Sequence, residues 1–208
     1  CFDVNQGCSG FVQALLLMNS LLEDKDSFGL IVCSDTYSKH LSRDDRSTQV
    51  LFSDGATATV VRGGGSWNLV GVRHLTDGSG ADMLSKNIDA KTRLVMDGAA
   101  VFQWTRRELG KQIKRVISDA GMDMSSIDRF YLHQASKLVL TNVIKSLAVD
   151  ESKVPMSLNV TGNLVSSSIP FLLEQDLDGF NEAKHLIMSG FGVGRSSSSC
   201  LLRNLANS

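Results

Sequence analysis

A cysteine in a glycine-containing turn, between a short strand pattern and a strongly apolar stretch, constrains this chain most. The sequence opens Cys-Phe-Asp-Val-Asn-Gln-Gly-Cys-Ser-Gly-Phe. Phe2 and Val4 are typical of the end of a strand, and Gly7 permits a tight turn. The apolar residues after Ser9 predict a buried helix that ends near residue 23. Cys8 therefore lies where unpaired backbone N–H groups and the positive end of a helix converge, which favours the thiolate. Taken alone, this segment fits either a nucleophile or a small buried hydrophobic residue.

Composition limits the class of protein. The 208 residues are 42% hydrophobic and 21% charged, with a formal net charge of −1, which fits one large or two small domains. The near-neutral charge argues against general nucleic-acid binding. The longest apolar stretch, residues 11–22, is interrupted by Gln13, Asn19 and Ser20, so we expect no membrane span. No basic segment typical of a signal peptide begins the sequence.

The four cysteines, Cys1, Cys8, Cys33 and Cys200, are widely spaced and form no C-x-x-C motif. This pattern predicts a reduced, cytoplasmic chain with neither a disulfide framework nor a metal site. The first residue is Cys1 rather than methionine, and it falls within a strand pattern. We therefore expect that part of the first structural unit lies upstream.

Apolar strand patterns alternate with helical patterns along the chain, which predicts an α/β fold. Residues 28–33 form a continuous apolar run, typical of a strand buried on both faces. Strand patterns at 56–61 and 67–72 are separated by three glycines, which predicts a hairpin. Further predictions are a surface segment over 74–97, an amphipathic helix over 99–120 closed by Gly121, and a strand over 156–160.

The order of elements repeats when the chain is shifted so that Cys8 falls on Asn163. Gly7 then falls on Gly162, and the strand pattern at 29–33 falls close to that at 185–189. Sequence identity between the halves is weak, but the order strand, turn, helix is the same. A duplicated α/β unit, with two sheets packed around a pseudo-twofold axis, would bring both turns to one central site.

Two further polar residues follow predicted strands. His133 directly follows the strand pattern at 129–132. Asn163 follows Gly162, just after the predicted strand over 156–160. Ligands collect at the carboxyl ends of strands in open α/β sheets. Taken singly, His133 is better explained as a core or capping histidine, and Asn163 as an N-cap. Together with Cys8, they form a Cys, His, Asn series at three strand-to-helix turns.

These three segments resemble the motifs of the β-ketoacyl-acyl carrier protein synthase III family, which has the thiolase-like fold. The similar stretches are G-C-S-G-F around Cys8, H-Q-A-S from His133, and G-N-L-V-S-S-S-I-P around Asn163. The resemblance implies a layered αβαβα architecture. Residues 1–96 would hold the latter part of the first repeat, and residues 97–208 the whole second repeat.

The resemblance also implies an activity, that of a 3-oxoacyl-[acyl-carrier-protein] synthase III-like acyltransferase. Cys8 would carry an acyl group taken from acyl-CoA, and His133 and Asn163 would stabilise the enolate formed by decarboxylation of a malonyl thioester. The backbone N–H groups of Cys8 and Gly194 would form the oxyanion hole. Coenzyme A thioesters and malonyl-acyl carrier protein would be substrates of a homodimer, without cofactor or metal.

The chain departs from the family pattern at several positions. Ser136 replaces an asparagine, Leu138 replaces a common basic residue next to Lys137, and residues 196–199 are all serine. These departures concern the donor substrate and the carrier more than the three site residues. Non-decarboxylating acyl transfer to an alcohol or amine, and a catalytically silent subunit or fragment, are the alternatives.

The predicted helix over 99–120 carries a basic stripe. Arg107, Lys111, Lys114 and Arg115 fall within about 100° of arc, opposite the apolar side. A solvated face without a partner is one interpretation. By the resemblance, the stripe and Lys137 would form a docking surface for the acidic acyl carrier protein.

Overall fold

The structure, a computed structural model, describes residues 1–22, 24–86 and 93–206, which contain both helices and strands. The helices are α1 Gly10–Leu21, α2 Arg46–Gln49, α3 Gly98–Asp119, α4 Lys137–Leu147, α5 Ser168–Gln175 and α6 Leu177–Glu182. The strands are β1 Phe28–Asp35, β2 Gly55–Arg62, β3 Trp67–Thr76, β4 Leu84–Ser85, β5 Val95–Met96, β6 Arg129–Leu132, β7 His185–Gly192 and β8 Ser196–Asn204. The predicted helix over 99–120 is confirmed as α3; Asp97 caps it, and Gly121 follows it with a φ of 68°.

The longer strands of the described residues form two separate sheets. One has the order β3-β8-β7-β6, in which β6 and β7 are parallel and the other pairs are antiparallel. The other pairs β1 with β2, from Phe28 opposite Arg62 to Asp35 opposite Gly55. The predicted hairpin of residues 56–61 and 67–72 is wrong, because β2 pairs with β1 whereas β3 pairs with β8. The three glycines instead lead the chain from one sheet to the other.

Helices lie between the two sheets and on the outer face of the larger one. α1 and α5 contact strands of both sheets, and α3 and α4 pack on the larger sheet and on each other. This layering is thiolase-like, as expected. Both halves also repeat the order helix, strand, antiparallel strand, in α1-β1-β2 and in α5/α6-β7-β8, which is consistent with a duplicated unit.

Strand β1 is confirmed, but it is not buried on both faces. Ile31 and Cys33 are each 6% exposed and face the helices, whereas Phe28, Leu30 and Val32 are 59–65% exposed. Side chains alternate across a strand, so one face of the β1–β2 pair packs while the other remains uncovered among the described residues. The uncovered face is apolar on both strands, since Val60 of β2 lies opposite Leu30 and is also exposed.

Two other predictions differ from the structure. Residues 156–160 are not a strand, because the N–H groups of Val160 and Thr161 both donate to the carbonyl of Ser157 and close a turn. The segment over 74–97 is not merely a surface excursion, since Leu84 and Leu94 are buried in it. Residues 87–92 of that prediction lie outside the described residues.

The division at residues 96 and 97 stays a prediction. β3, which precedes that boundary, is hydrogen-bonded to β8 along nearly its whole length. The backbone hydrogen bonds therefore associate residues 67–76 with the second half of the chain. None of the helices described is long and apolar enough to cross a membrane.

Candidate active site

A sharp turn places Cys8 at the start of α1. Gly7 has a φ of 47°, in the left-handed region that glycine adopts readily, and a single 3₁₀ turn over Gly7–Ser9 runs directly into the helix. The hydroxyl and the N–H of Ser9 both donate to the carbonyl of Gln6, which stabilises the turn. The Cys8 side chain is only 3% exposed.

The end of β7 passes directly over Cys8. A Cβ atom at Gly190 would lie 2.6 Å from the Cys8 carbonyl oxygen, and one at Gly192 would lie 2.9 Å from the Cys8 Sγ. Both positions therefore require glycine. Gly194 does not make such an approach, because nothing lies within 4 Å of the position of its Cβ; its φ of 69° is what favours glycine there.

Opposing influences act on the Cys8 thiol. Burial, with the charge of Asp35 as a second cause, raises the pKa of Cys8 to about 12. Hydrogen bonds from the backbone N–H groups of Cys8 and Val193 to the sulfur act in the opposite direction and are weaker. The thiolate expected from the helix terminus is thus not the resting form, because burial outweighs the backbone donors.

The same hydrogen bonds identify a residue that sequence reasoning missed. The backbone N–H of Val193 is hydrogen-bonded to the Cys8 sulfur and lowers the pKa of the thiol. The oxyanion-hole role suggested for Gly194 stays a prediction. The G-x-G-x-G spacing alone did not distinguish the two, since the direction of each N–H depends on backbone torsion angles. On either side of Val193 the backbone is extended at Gly192, with a φ of 162°, and left-handed at Gly194, with a φ of 69°.

His133 follows β6 and is held by its backbone N–H, which donates to the carbonyl of Ser189 on β7 at 2.9 Å. Its ring is 1% exposed and packs edge-on against Phe191, with 5.3 Å between ring centroids. Burial lowers the pKa of His133 to about 3, and a backbone hydrogen bond with Val165 opposes this shift only in part. The imidazole is therefore neutral at physiological pH.

Gln134, next to His133, is a second residue that the sequence did not single out. It is fully buried; its Nε2 donates to the carbonyl of Leu132 and its Oε1 accepts from the N–H of Ser157. Gln134 thereby links the end of β6 to the segment that leads to Asn163.

Asn163 is fixed by its backbone and its side chain. Its N–H donates to the carbonyl of Leu51, its carbonyl accepts from the N–H of Ser53, and its Oδ1 accepts from the N–H of Val165 at 2.9 Å. A backbone N–H can only donate, so this contact identifies the Asn163 oxygen and leaves the amide Nδ2 as a donor. Val165 has a φ of 54°, a rare conformation for a β-branched residue.

One cavity of about 120 Å³ joins the three predicted residues, since Cys8, His133 and Asn163 all line it. The rest of its wall is mainly apolar. It is formed by Leu51, Phe52, Leu84, Met96, Gly98, Val101, Phe102, Ala135, Ser136, Leu138, Val139, Phe191 and Gly192. Most of these residues carry no motif, so sequence patterns did not indicate them. The described residues contain no group of three or more His, Cys, Asp or Glu side chains that could hold a metal ion.

The predicted basic residues do not line this cavity. Arg107, Lys111, Lys114 and Arg115 lie on the exposed side of α3, and Lys137 is exposed at the start of α4. Lys137 is adjacent to Leu138, which does line the cavity.

The layered sheets and the Cys8, His133 and Asn163 cavity define a protein of the thiolase-like class. The family model described as 3-oxoacyl-[acyl-carrier-protein (ACP)] synthase III matches residues 2–78, and the model of its C-terminal part matches residues 117–204. The chain is similar to β-ketoacyl-[acyl-carrier-protein] synthase III of Streptococcus sanguinis strain SK36, with 33% identity over 93% of this chain and 64% of that protein.

Solved structures agree with these matches. A 3-oxoacyl-(acyl-carrier-protein) synthase III crystal structure at 2.1 Å shares 32% identity and a TM-score of 0.87, covering 97% of this chain and 68% of its own. The enzyme from Pseudomonas aeruginosa PAO1 shares 31% identity and a TM-score of 0.89, covering 97% and 66%. The chain belongs to the 3-oxoacyl-[acyl-carrier-protein] synthase III family. It spans 64% of the length of the curated relatives it matches.

Proposed function

We propose that the protein catalyses a decarboxylative Claisen condensation between an acyl thioester and a malonyl thioester, in which the Cys8 sulfur holds the acyl group covalently. The observation that carries this proposal is the single cavity lined by Cys8, His133 and Asn163. A nucleophile and two neutral hydrogen-bond donors around one cavity suit a reaction in which an acyl group and an enolate must meet.

In the first half-reaction the Cys8 sulfur attacks the carbonyl carbon of acyl-CoA. The thioester bond to coenzyme A breaks, and the proton of Cys8 leaves with the coenzyme A thiol. We assign the backbone N–H groups of Cys8 and Val193 as the donors for the oxyanion, because both lie at the sulfur and so beside the carbonyl that it attacks. We propose Val193 as the second donor, and the role that the sequence suggested for Gly194 stays a prediction. Each such donor typically contributes about 3 kcal/mol to stabilising the transition state.

In the second half-reaction the malonyl thioester loses carbon dioxide and leaves an enolate. The Nδ2 of Asn163 and the single N–H of neutral His133 donate hydrogen bonds to the enolate oxygen, the His133 N–H in exchange for its resting contact with Val165. The enolate carbon then attacks the acyl carbonyl on Cys8, the bond to sulfur breaks, and Cys8 recovers a proton. The product is a 3-oxoacyl thioester. The low pKa of His133 is appropriate here, because a donor that stays neutral loses no proton to the enolate.

The names of the relatives support an acyl carrier protein as partner, and we extend this to malonyl-acyl carrier protein as substrate alongside acyl-CoA. We also propose a cytoplasmic homodimer that needs no cofactor. The surface that we propose for docking of the acyl carrier protein consists of five exposed residues, Arg107, Lys111, Lys114, Arg115 and Lys137. Within it, Arg107 pairs with Glu108, and Lys114 donates to the carbonyl of Ser146.

A charge reversal tests this surface. Lys111→Glu with Arg115→Glu should slow turnover of malonyl-acyl carrier protein severalfold or more at low salt, because an acidic carrier associates faster with a basic surface. Turnover of malonyl-CoA should not change. Lys25→Glu with Lys184→Glu, two exposed cations elsewhere, is the matched control. If turnover of both substrates falls equally, or neither changes, the stripe is a solvated face and not a docking surface.

The condensation itself is tested by incubating the native protein with acyl-CoA and a malonyl thioester. We expect release of carbon dioxide and formation of the 3-oxoacyl thioester, detected by mass spectrometry. Acylation of Cys8 without carbon dioxide release would favour acyl transfer to an alcohol or amine. Neither event with any thioester would favour a catalytically silent subunit.

A further inference from the structure

The backbone loop that presents the Val193 N–H is held in an unfavourable conformation. Gly194 and Arg195 are both left-handed, with φ values of 69° and 46°. Glycine adopts this region readily, but arginine does so rarely, and such conformations persist where the surroundings over-determine them. The contacts of the Arg195 side chain therefore help to hold the loop in this conformation.

One segment holds both the side chain and the backbone of Arg195. Its Nη1 donates to Asp77 Oδ2 at 2.8 Å and to Ser79 Oγ at 3.3 Å, and its Nε lies 3.3 Å from the sulfur of Met83. Its carbonyl accepts from the N–H of Asp77 at 3.3 Å. The two side chains of the ion pair are 25% and 38% exposed, so the pair is partly shielded from water.

The acceptor side of the pair is also fixed in place. Asp77 caps the 3₁₀ helix Gly78–Met83, where its Oδ1 accepts from the N–H and hydroxyl of Ser79 and leaves Oδ2 for Arg195. A Cβ atom at Gly80 would lie 1.9 Å from the Nε of Arg195, so glycine is what allows the guanidinium to lie against this backbone. These hydrogen bonds hold the pKa of Asp77 at about 2, so the carboxylate is ionised.

We infer that the Arg195–Asp77 ion pair positions the Val193 N–H against the Cys8 sulfur. Arg195 does not line the cavity, so it is a positioning residue that acts through the loop rather than a catalytic residue. The inference rests on the proposed function, in which this N–H stabilises the oxyanion. It extends the site to the segment at 77–83, which no motif indicated.

Arg195→Gln and Asp77→Asn each remove the ion pair, and asparagine retains the helix cap. We expect each variant to lower the single-turnover rate of Cys8 acylation about tenfold to a hundredfold, because displacement of an oxyanion donor acts on the transition state. The acyl-CoA concentration at half-maximal rate should stay within about twofold. Alkylation of Cys8 by iodoacetamide should slow less than acylation, because it forms no oxyanion and loses only the weak stabilisation that the Val193 N–H gives the thiolate. Arg195→Lys should restore part of the rate, and the double variant should be no slower than the single ones.

Arg62→Gln is the matched control, since it removes an exposed ion pair, with Asp26, from the other sheet. Amide hydrogen exchange at Val193 is the second readout. It should be faster in Arg195→Gln and in Asp77→Asn than in the wild type and in Arg62→Gln. Unchanged acylation, or equal loss of acylation and alkylation, would overturn the inference. If the wild type is not acylated at all, the proposed function fails, and the exchange alone decides whether the pair holds the loop: faster exchange supports it and unchanged exchange overturns it.

Discussion

A single hydrogen bond decides what Asn163 can do. Because its Oδ1 accepts from the N–H of Val165, only the amide Nδ2 remains to act on a substrate. His133 is similarly restricted, since burial keeps its ring neutral. Both side chains are therefore donors without charge, which suits the stabilisation of an enolate but contributes little to the attack of Cys8.

The two half-reactions should accordingly separate on mutation. His133→Ala and Asn163→Ala should lower decarboxylation of the malonyl thioester at least a hundredfold while leaving acylation of Cys8 within a few fold of the wild type. Asn163→Asp is the matched variant, because it keeps the acceptor for Val165 and removes the donor. Rates of carbon dioxide release and of acyl-enzyme formation measure the two steps. Loss of acylation with decarboxylation retained would show that these roles are wrong.

At the level of single residues, the sequence predicted that Cys8, His133 and Asn163 would meet, and they line one cavity. Polar residues at strand-to-helix turns occupy places that the fold brings together, so order along the chain was informative. It did not predict Val193, because the direction of an N–H depends on torsion angles at Gly192 and Gly194. Nor did it predict the raised pKa of Cys8, which depends on burial by distant segments.

Strand β1 shows what a hydrophobic run leaves undecided. The sequence FGLIVC predicts a strand, and a strand forms, but only alternate residues are buried. An apolar residue on the uncovered face has the same sequence signature as one in the core. The sequence did not predict the strand pairing either. β2 and β3 are adjacent in the chain, but β2 pairs with β1 and β3 pairs with β8.

Alanine substitutions along β1 should show this alternation. Ile31→Ala removes a side chain that is 6% exposed and should lower the free energy of unfolding by about 2–4 kcal/mol. Leu30→Ala and Val32→Ala remove side chains that are about 60% exposed and should cost less than about 1 kcal/mol each. Urea unfolding measures all three. Comparable losses at the three positions would mean that another part of the native protein covers the outer face.

The whole molecule places the site between its two sheets. Cys8 begins a helix of the central layer, His133 ends a strand of the larger sheet, and Asn163 is bridged to Phe52 beside the smaller one. The cavity therefore exists only when both sheets are packed against α1 and α5. Burial of His133 in this assembly has a consequence for stability as a function of pH.

The pKa of His133 is about 3 in the folded protein, against 6.5 for an ordinary histidine. Below pH 6.5 the unfolded chain binds this proton and the folded protein does not, so stability falls as the pH decreases from 6.5 towards 3. At about pH 4.5 the loss from this residue should be about 3 kcal/mol. His133→Gln should lack this component, which comparison of urea unfolding at neutral and acidic pH would show. Parallel pH curves for the two proteins would contradict the buried neutral histidine.

The formation of an acyl-cysteine at residue 8 is the central claim, and mass spectrometry of the native protein after treatment with acyl-CoA tests it most directly. Trypsin leaves Cys1 and Cys8 on one peptide, because the first lysine or arginine is Lys25, so the measurement uses the Cys1→Ser variant. We predict one acyl group per chain on the peptide that contains Cys8, and none in Cys8→Ser. An adduct on Cys33 or Cys200 instead, or no adduct with acyl-CoA of any chain length, would contradict the proposed function.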